Sequence, residues 1–237
     1  NSQSDFIKDF AIKNNKVFAA TAYGFLVYNL ISEEVNFYTK QEASFSINSN
    51  HCQCVFIDAE NNYWVGTELG GVNVSFFQSL KFSSSNFNYE TEFPNIYTLY
   101  ENKKGSVLLG GVKTFHDLDL TNGNFVNHSA PFGSNTILTI VRENEASNVY
   151  WIGTWGSGVF RYDMSTRKVK NFLSNKLGGT IVCMIVDGGN LYAGSVGDGL
   201  FKINLTTFEI TNFTTGDGLP NQSVNTIFKD SKKNVWL

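Results

Sequence analysis

The chain has 237 residues and a formal net charge of −3, from 18 Lys and Arg against 21 Asp and Glu; 16% of its residues are charged, 42% hydrophobic and 15% aromatic. That length allows a sizeable core, and that balance excludes a disordered charged tail and disfavours a broad basic surface for nucleic acid. Three prolines against 21 glycines, with 21 Phe and 10 Tyr, is the composition of many short strands joined by tight turns, so an all-β fold is expected.

No run of 18 apolar residues occurs, so no membrane-spanning helix is expected and the chain reads as soluble. Neither end carries a basic, apolar and small-residue pattern of the kind that directs secretion. Of the three cysteines, Cys52 and Cys54 stand too close on one predicted strand to join each other without distortion, so no disulfide framework is expected.

In chain order the sequence repeats itself. Val17 to Thr21, Tyr63 to Thr67, Val107 to Gly111, Tyr150 to Thr154 and Leu191 to Ser195 are variants of one strand. Its small residue falls at Ala20, Gly66, Gly110, Gly153 and Gly194, at intervals of 46, 44, 43 and 41 residues. A second marker, the last apolar residue of the preceding stretch, falls at Val55, Leu99, Ile140, Met184 and Ile227, at intervals of 44, 41, 44 and 43. Two markers with one period fix a repeat. The first unit reads as four strands from Phe6 through Phe37. The fifth reads as strands over 180–186, 191–195, 200–204 and 209–213, separated by turns at Asp187 to Asn190 and at Gly197 to Gly199. In the fourth unit Asn144 to Asn148 lengthen the first turn.

Four strands in about 43 residues is the size of a β-propeller blade. The reading is therefore an all-β propeller of four-stranded antiparallel blades, with repeats over 5–44, 45–88, 89–131, 132–175 and 176–219 and an incomplete sixth over 220–237. The repeat aromatics Phe18, Trp64, Trp151, Tyr192 and Trp236 are expected in the core between blades. The glycines 70, 71, 156, 158, 197 and 199 suit turns, since no Gly-x-Gly-x-x-Gly opens a helix here.

Two stretches, Asp58 to Gly71 and Tyr150 to Tyr162, resemble the two-component regulator propeller repeat. Gly216 to Ile227 followed by Asp230, Asn234, Val235 and Trp236 is similar to that family's junction between one blade and the next. The resemblance spans nearly the whole chain, with the first and third repeats degenerate. It implies the extracytoplasmic, periplasmic sensor region of a hybrid two-component receptor that recognises polysaccharide-derived oligosaccharides. In such receptors two propellers of about seven blades precede an immunoglobulin-like domain, a membrane helix and a histidine kinase, often fused to a response regulator. Homodimerisation, and a membrane reached only through other segments, are further implications. With about five and a half blades and no spare N-terminal strand, the chain is expected to be a fragment of a larger propeller.

The loops joining strands two and three, and those joining blades, share one face of a propeller. The first set contributes Tyr23, Glu68, Lys113, Trp155 and Asp198 as candidate ligand-binding residues, and the second contributes Lys40, Glu42, Phe87, Tyr89, Phe132 and Lys176. The repeat demands none of these types. Trp155, in a glycine-flanked turn, is placed to stack on a sugar ring or to sit under a neighbouring loop.

Other chemistry is weaker. In His51-Cys52-Gln53-Cys54, strand alternation places both cysteines on one side and the histidine on the other, so no metal set is expected. Cys54 shares its repeat position with Thr98, Thr139, Cys183 and Thr226, which points to a small buried side chain; His116 to Asp119 reads as a solvated edge. Asp58 to Trp64 resembles the Asp box of sialidases, but a sialidase needs arginines converging from separate blades, and Arg142, Arg161 and Arg167 lie in one repeat. No carboxylate pair suits glycosidase chemistry. Neither a catalytic constellation nor a cofactor is expected, which leaves a protein-binding scaffold as the main alternative to a sensor, with a propeller glycosidase or lyase behind it. The five Asn-x-Ser/Thr matches, at Asn73, Asn127, Asn204, Asn212 and Asn221, are given no role.

Overall fold

The computed structural model describes residues 7–42, 46–75, 82–84, 95–173, 179–230 and 232–237. They fall into two compact units, Asn1–Asn127 and His128–Leu237. No α-helix occurs among the described residues.

The first unit holds three sheets. One consists of β1 (Ile7–Lys13), β2 (Lys16–Thr21), β3 (Gly24–Asn29) and β4 (Val35–Tyr38), and the next of β5 (Cys52–Ile57), β6 (Tyr63–Thr67), β7 (Gly71–Ser75) and β8 (Phe82–Ser84). The third consists of β9 (Ile96–Lys103), β10 (Ser106–Gly111), β11 (Thr114–Asp119) and β12 (Phe125–Asn127). The second unit holds β13 (Ile137–Arg142), β14 (Val149–Thr154), β15 (Val159–Asp163) and β16 (Lys168–Asn171), then β17 (Ile181–Asp187), β18 (Asn190–Ser195), β19 (Leu200–Asn204) and β20 (Ile210–Phe213). It ends in a two-stranded sheet of β21 (Phe228–Lys229) and β22 (Val235–Trp236). Every four-stranded sheet is an antiparallel meander in chain order, as the turn pattern requires. The strands read over 200–204 and 209–213 are β19 and β20 to within one residue.

Within each unit the sheets pack face to face, with the first strands adjacent: β1 against β5, β5 against β9, and β13 against β17. The repeat glycine makes this close approach possible. A Cβ on Gly153 would lie 2.5 Å from Thr139 Cγ2 on its own sheet and 2.8 Å from Ile181 Cγ2 on the next. Gly66 is hemmed in likewise by Cys54 and by Ile96 of β9, and Gly194 by Cys183 and Val224. The small residue of the first strand stands directly across the ladder from the glycine, in the pairs Cys54 with Gly66, Thr98 with Gly110, Thr139 with Gly153 and Cys183 with Gly194.

Just before that pair each first strand carries a β-bulge, at Lys8, Gln53, Tyr97, Leu138 and Val182. An extra residue inverts the alternation beyond it. Cys52 therefore joins the core between the first two sheets, with Phe18, Phe25 and Val65, whereas Cys54 joins the core beneath the third, with Ile96, Val107 and Leu109. The expectation that both cysteines share a side is corrected by this register shift. Burial pushes the Cys52 and Cys183 thiols up to about 12.

The first sheet departs from the small-residue rule. Asp9 stands at that position, where its Oδ2 accepts the Val55 amide of β5 at 2.9 Å. Burial raises its carboxyl above the ordinary value, against the lowering effect of the Val55 and Phe10 amides. A raised folded-state value means that Asp9 favours folding most below its unfolded pKa and loses that contribution as pH rises through the folded one. Asp9→Asn removes the charge and keeps one of the two acceptor oxygens, enough for the Val55 amide while that of the more exposed Phe10 turns to water, so it is expected to raise Tm at pH 7 by roughly 2–4 °C, with the gain vanishing below about pH 4. A thermal melt series across pH checks both, and a gain that is the same at all pH values would refute the burial account.

Three of the five repeat aromatics are core. Phe18, Trp64 and Trp151 are buried, each on a face covered by a complete following sheet. Tyr192 is only half-buried and Trp236 is 60% exposed, contrary to expectation: among the described residues the sheet after that of Tyr192 has only β21 and β22, and no third strand pairs with β22.

Where the repeat aromatic is Trp, a carboxylate takes its indole N–H. Trp64 Nε1 donates to Asp58 Oδ2 at 2.9 Å and Trp236 Nε1 to Asp230 Oδ2 at 3.0 Å. The same two aspartates also accept the backbone and side-chain nitrogens of Asn62 and Asn234. In the lengthened turn Glu143 replaces aspartate: its Oε2 accepts Trp151 Nε1 at 3.0 Å, and Arg161 pairs with both of its oxygens at 2.7 and 2.8 Å. The longer side chain spans the wider turn. The Asp58 turn is thus a cap on a core tryptophan, which accounts for its likeness to an Asp box.

Candidate functional site

The loops between the second and third strands share one plan in four of the five four-stranded sheets, the third sheet, whose second strand ends in Gly111, departing from it. In the four, the last residue of the second strand is a buried Thr or Ser whose hydroxyl donates to the carbonyl of a glycine at the far side of the loop. These pairs are Thr21 to Gly24, Thr67 to Gly71, Thr154 to Gly158 and Ser195 to Gly199, at 2.8–3.0 Å. The next amide reaches back to the strand-entry segment of the same sheet: Glu68 to His51, Val112 to Asn95, Trp155 to Thr136 and Val196 to Thr180. Loops held at both ends present side chains at low entropic cost.

The Trp155 loop is the most constrained. Gly156 N donates to Thr180 Oγ1, Gly158 N to the Gly179 carbonyl, Ser157 Oγ to Asn135 Oδ1 and Asn171 Nδ2 to the Ser157 carbonyl. Gly158 has φ +73°, and a Cβ there would run into the Leu173 carbonyl. On this fixed support the Trp155 side chain stands 66% exposed. Asp198, in the equivalent loop of the next sheet, is half-buried, and the Gly179 amide approaches its Oδ2 at 3.4 Å.

In the first unit Tyr23 is 44% exposed and its amide donates to Thr21 Oγ1. Lys113 is exposed at the tip of a two-residue loop, with φ +54°. Glu68 is half-exposed and accepts Gln53 Nε2 at 3.1 Å, with His51 Nδ1 at 3.6 Å. An amide ladder of Asn48 and Asn73 braces this loop from below, Asn48 Oδ1 accepting Asn73 Nδ2 at 2.8 Å and Asn73 Oδ1 accepting the Asn48 amide at 3.0 Å. Asn73 is fully buried in this role.

The strand-entry residues behave differently. Lys40 and Glu42 are exposed, and Phe87, Tyr89 and Lys176 lie outside the described residues. Phe132, read as a surface contributor, is instead buried in a 3-10 turn (Ala130–Phe132), where its ring meets Phe160 at 5.6 Å and Tyr162 at 5.3 Å edge-on. The adjoining Pro131 lies in the opening positions of that turn, where its fixed φ suits the helical backbone.

Sequence reasoning missed the bulges, and with them Gln53 and Tyr97, whose environment includes Glu68: burial first, then the Glu68 charge, raises the Tyr97 phenol. It also missed a cavity of about 420 Å³ at the opposite end of the third sheet, lined by Lys103, Ser106, Asp117, Asn124 and Val126 among others. Asp117 there is already engaged by Ser106 and Asn102. Among the described residues no three His, Cys, Asp or Glu side chains are grouped to hold a metal.

No family model matches the sequence, and no curated protein matches it. Solved structures do. The extracellular domain of the hybrid two-component system BT3049 from B. thetaiotaomicron aligns over 100% of this chain and 33% of its own, with 20% identity and a TM-score of 0.82. That of BT4673 from the same bacterium aligns over 97% of this chain and 31% of its own, with 22% identity and a TM-score of 0.77. The WD40 β-propeller domain of Doa1 aligns over 99% of this chain and 90% of its own, with 13% identity and a TM-score of 0.67. The chain spans about a third of the length of the first two. With its four-stranded meanders, this likeness makes the fold that of a β-propeller.

Proposed function

We propose that the chain belongs to the two-component regulator propeller repeat family. On this reading it is part of the extracytoplasmic, ligand-sensing propeller of a hybrid two-component receptor, one that recognises polysaccharide-derived oligosaccharides and controls a fused histidine kinase. The observation that carries the reading is the alignment of the entire chain with an extracellular domain of such a system at a TM-score of 0.82. The loop plan supports it: rigid, glycine-based loops hold chemically varied side chains, Trp155 foremost, at one end of each sheet. A periplasmic location accords with those neighbours, and no helix among the described residues is long and apolar enough to cross a membrane. The receptor is expected to work as a homodimer. Ligand then signals through unequal affinity for two arrangements of the receptor.

Isothermal calorimetry with a panel of plant and host oligosaccharides tests this. The protein is expected to bind at least one of them, and Trp155→Ala to weaken that binding by about tenfold or more with Tm unchanged. Unaltered affinity removes Trp155 from the site. Absence of binding across the panel, with no product released on long incubation, favours a protein-binding scaffold, whereas product release favours a glycosidase or lyase.

A further inference from the structure

Glu68 is the centre of a polar group drawn from four separate places in the first unit. It lies in the loop between β6 and β7. Gln53 is the bulge residue of β5 and donates its Nε2 to Glu68 Oε2 at 3.1 Å. His51 comes from the segment entering β5, with Nδ1 3.6 Å from the same oxygen. Tyr97 is the bulge residue of β9 on the following sheet, two residues beyond the Asn95 that bridges to Glu68, and the Glu68 charge adds to burial in raising its phenol.

The backbone that carries the carboxylate is fixed on both sides. Glu68 N donates to the His51 carbonyl at 2.9 Å, Glu68 forms an isolated bridge with Asn95, and Leu69 N donates to Asn95 Oδ1 at 3.0 Å. Yet its capacity is unspent. Among the described residues, Glu68 Oε1 and Gln53 Oε1 receive no donor, and the Tyr97 hydroxyl makes no hydrogen bond. The Glu68 and His51 side chains are 40% and 65% exposed, so these groups face solvent.

The arrangement is not a by-product of the repeat. The position of Glu68 is taken by Ala22, Val112, Trp155 and Val196 in the other sheets, and the bulges of the second unit are Leu138 and Val182. Nor does it suit the simplest charged ligands. A single carboxylate repels anions, and one carboxylate with one imidazole is a poor cation cage. Adjacent unfilled acceptors beside a phenol and an imidazole match neighbouring hydroxyl groups on a ring, each of which donates one hydrogen bond and accepts others.

We propose that Glu68, Gln53, His51 and Tyr97 form a subsite for a neutral saccharide ring, with Glu68 accepting from two neighbouring hydroxyls. This rests on the oligosaccharide reading above and adds which residues hold one sugar unit and which charge that unit carries. Because the carboxylate disfavours a second negative charge, neutral sugars bind there more tightly than uronic acids.

The test is an amide NMR titration of the 15N-labelled protein with D-glucose, D-galactose, D-mannose, L-arabinose and D-galacturonate, each to 100 mM. At least one neutral sugar is expected to give saturable shifts around residues 51–53, 67–69 and 97. Glu68→Ala and Tyr97→Phe, both folded by the dispersion of their spectra, are each expected to weaken that binding by about tenfold. Saturable shifts centred elsewhere and unchanged by Glu68→Ala overturn the subsite and leave the oligosaccharide reading standing. Galacturonate binding at this place as tightly as the neutral sugars overturns the role given to Glu68. No saturable shift with any sugar counts against the subsite and the reading together.

Discussion

Gly153→Val is expected to lower Tm by roughly 10 °C, a cost of about 3–4 kcal/mol. The glycine lies where β14 is pressed between its own first strand and the first strand of the next sheet. Its missing Cβ would already stand 2.5 Å from Thr139 Cγ2, 2.8 Å from Ile181 Cγ2 and 3.1 Å from the Ile181 carbonyl. Thr139 and Ile181 are β-branched and stiff, and a backbone carbonyl cannot turn away, so two further methyl groups must force the sheets apart. Gly156→Ala supplies the contrast. There φ is +76° with open space around the Cβ position, so only left-handed backbone strain of about 1 kcal/mol is added. Differential scanning calorimetry of both variants separates packing from strain, and a Gly153→Val melt within 2 °C of the parent would show that the sheets part freely.

Removing the Glu143 carboxylate is expected to cost about 3 kcal/mol, or roughly 6–12 °C in Tm. Glu143 is only 14% exposed and serves two donors at once, the indole of a fully buried Trp151 and the guanidinium of Arg161. Glu143→Ala leaves both without an acceptor. The guanidinium keeps some support, since it also lies 5.8 Å from the Phe208 ring. Glu143→Gln should cost less, because its amide oxygen can still accept from one of the two. A double-mutant cycle with Arg161→Met isolates the ion pair from the indole bond. Equal stability of Glu143→Ala and the parent would mean that water serves both donors without loss.

The architecture was legible because the sequence spends its glycines on geometry. The period shows at Gly66, Gly110, Gly153 and Gly194; Gly66 and Gly153 are needed where two first strands converge, and the turn glycines show because left-handed backbone favours them. The loops carrying Tyr23, Glu68, Lys113, Trp155 and Asp198 follow from that period, which locates a loop without knowing its contents. The bulges left no trace: Lys8, Gln53, Tyr97, Leu138 and Val182 share no side-chain chemistry, and only the hydrogen-bond register reveals them. Hence the cysteines were assigned to one face, and Gln53 and Tyr97 were not joined to Glu68. Phe132 was misread for another reason, since an aromatic beside a proline in a connecting segment looks exposed until a turn directs it inward. The carboxylate caps on tryptophan were half visible: the Asp, Asn and Trp spacing recurs at 58–64 and 230–236, but Glu143 hides behind a longer turn.

A bulge residue has no partner across the ladder, so no neighbour dictates what it must be. The five bulges that precede the small-residue pair already differ widely, with an ammonium, an amide, a phenol and two aliphatics standing at one structural position. Heredity can therefore rewrite that position one codon at a time while the small residue opposite the next position, glycine in four sheets and Ala20 in the first, lets the sheets stay close. A gene duplicated with this scaffold would inherit a set of adjustable positions already separated from those on which folding depends, and new specificities could be explored without passing through unfolded intermediates.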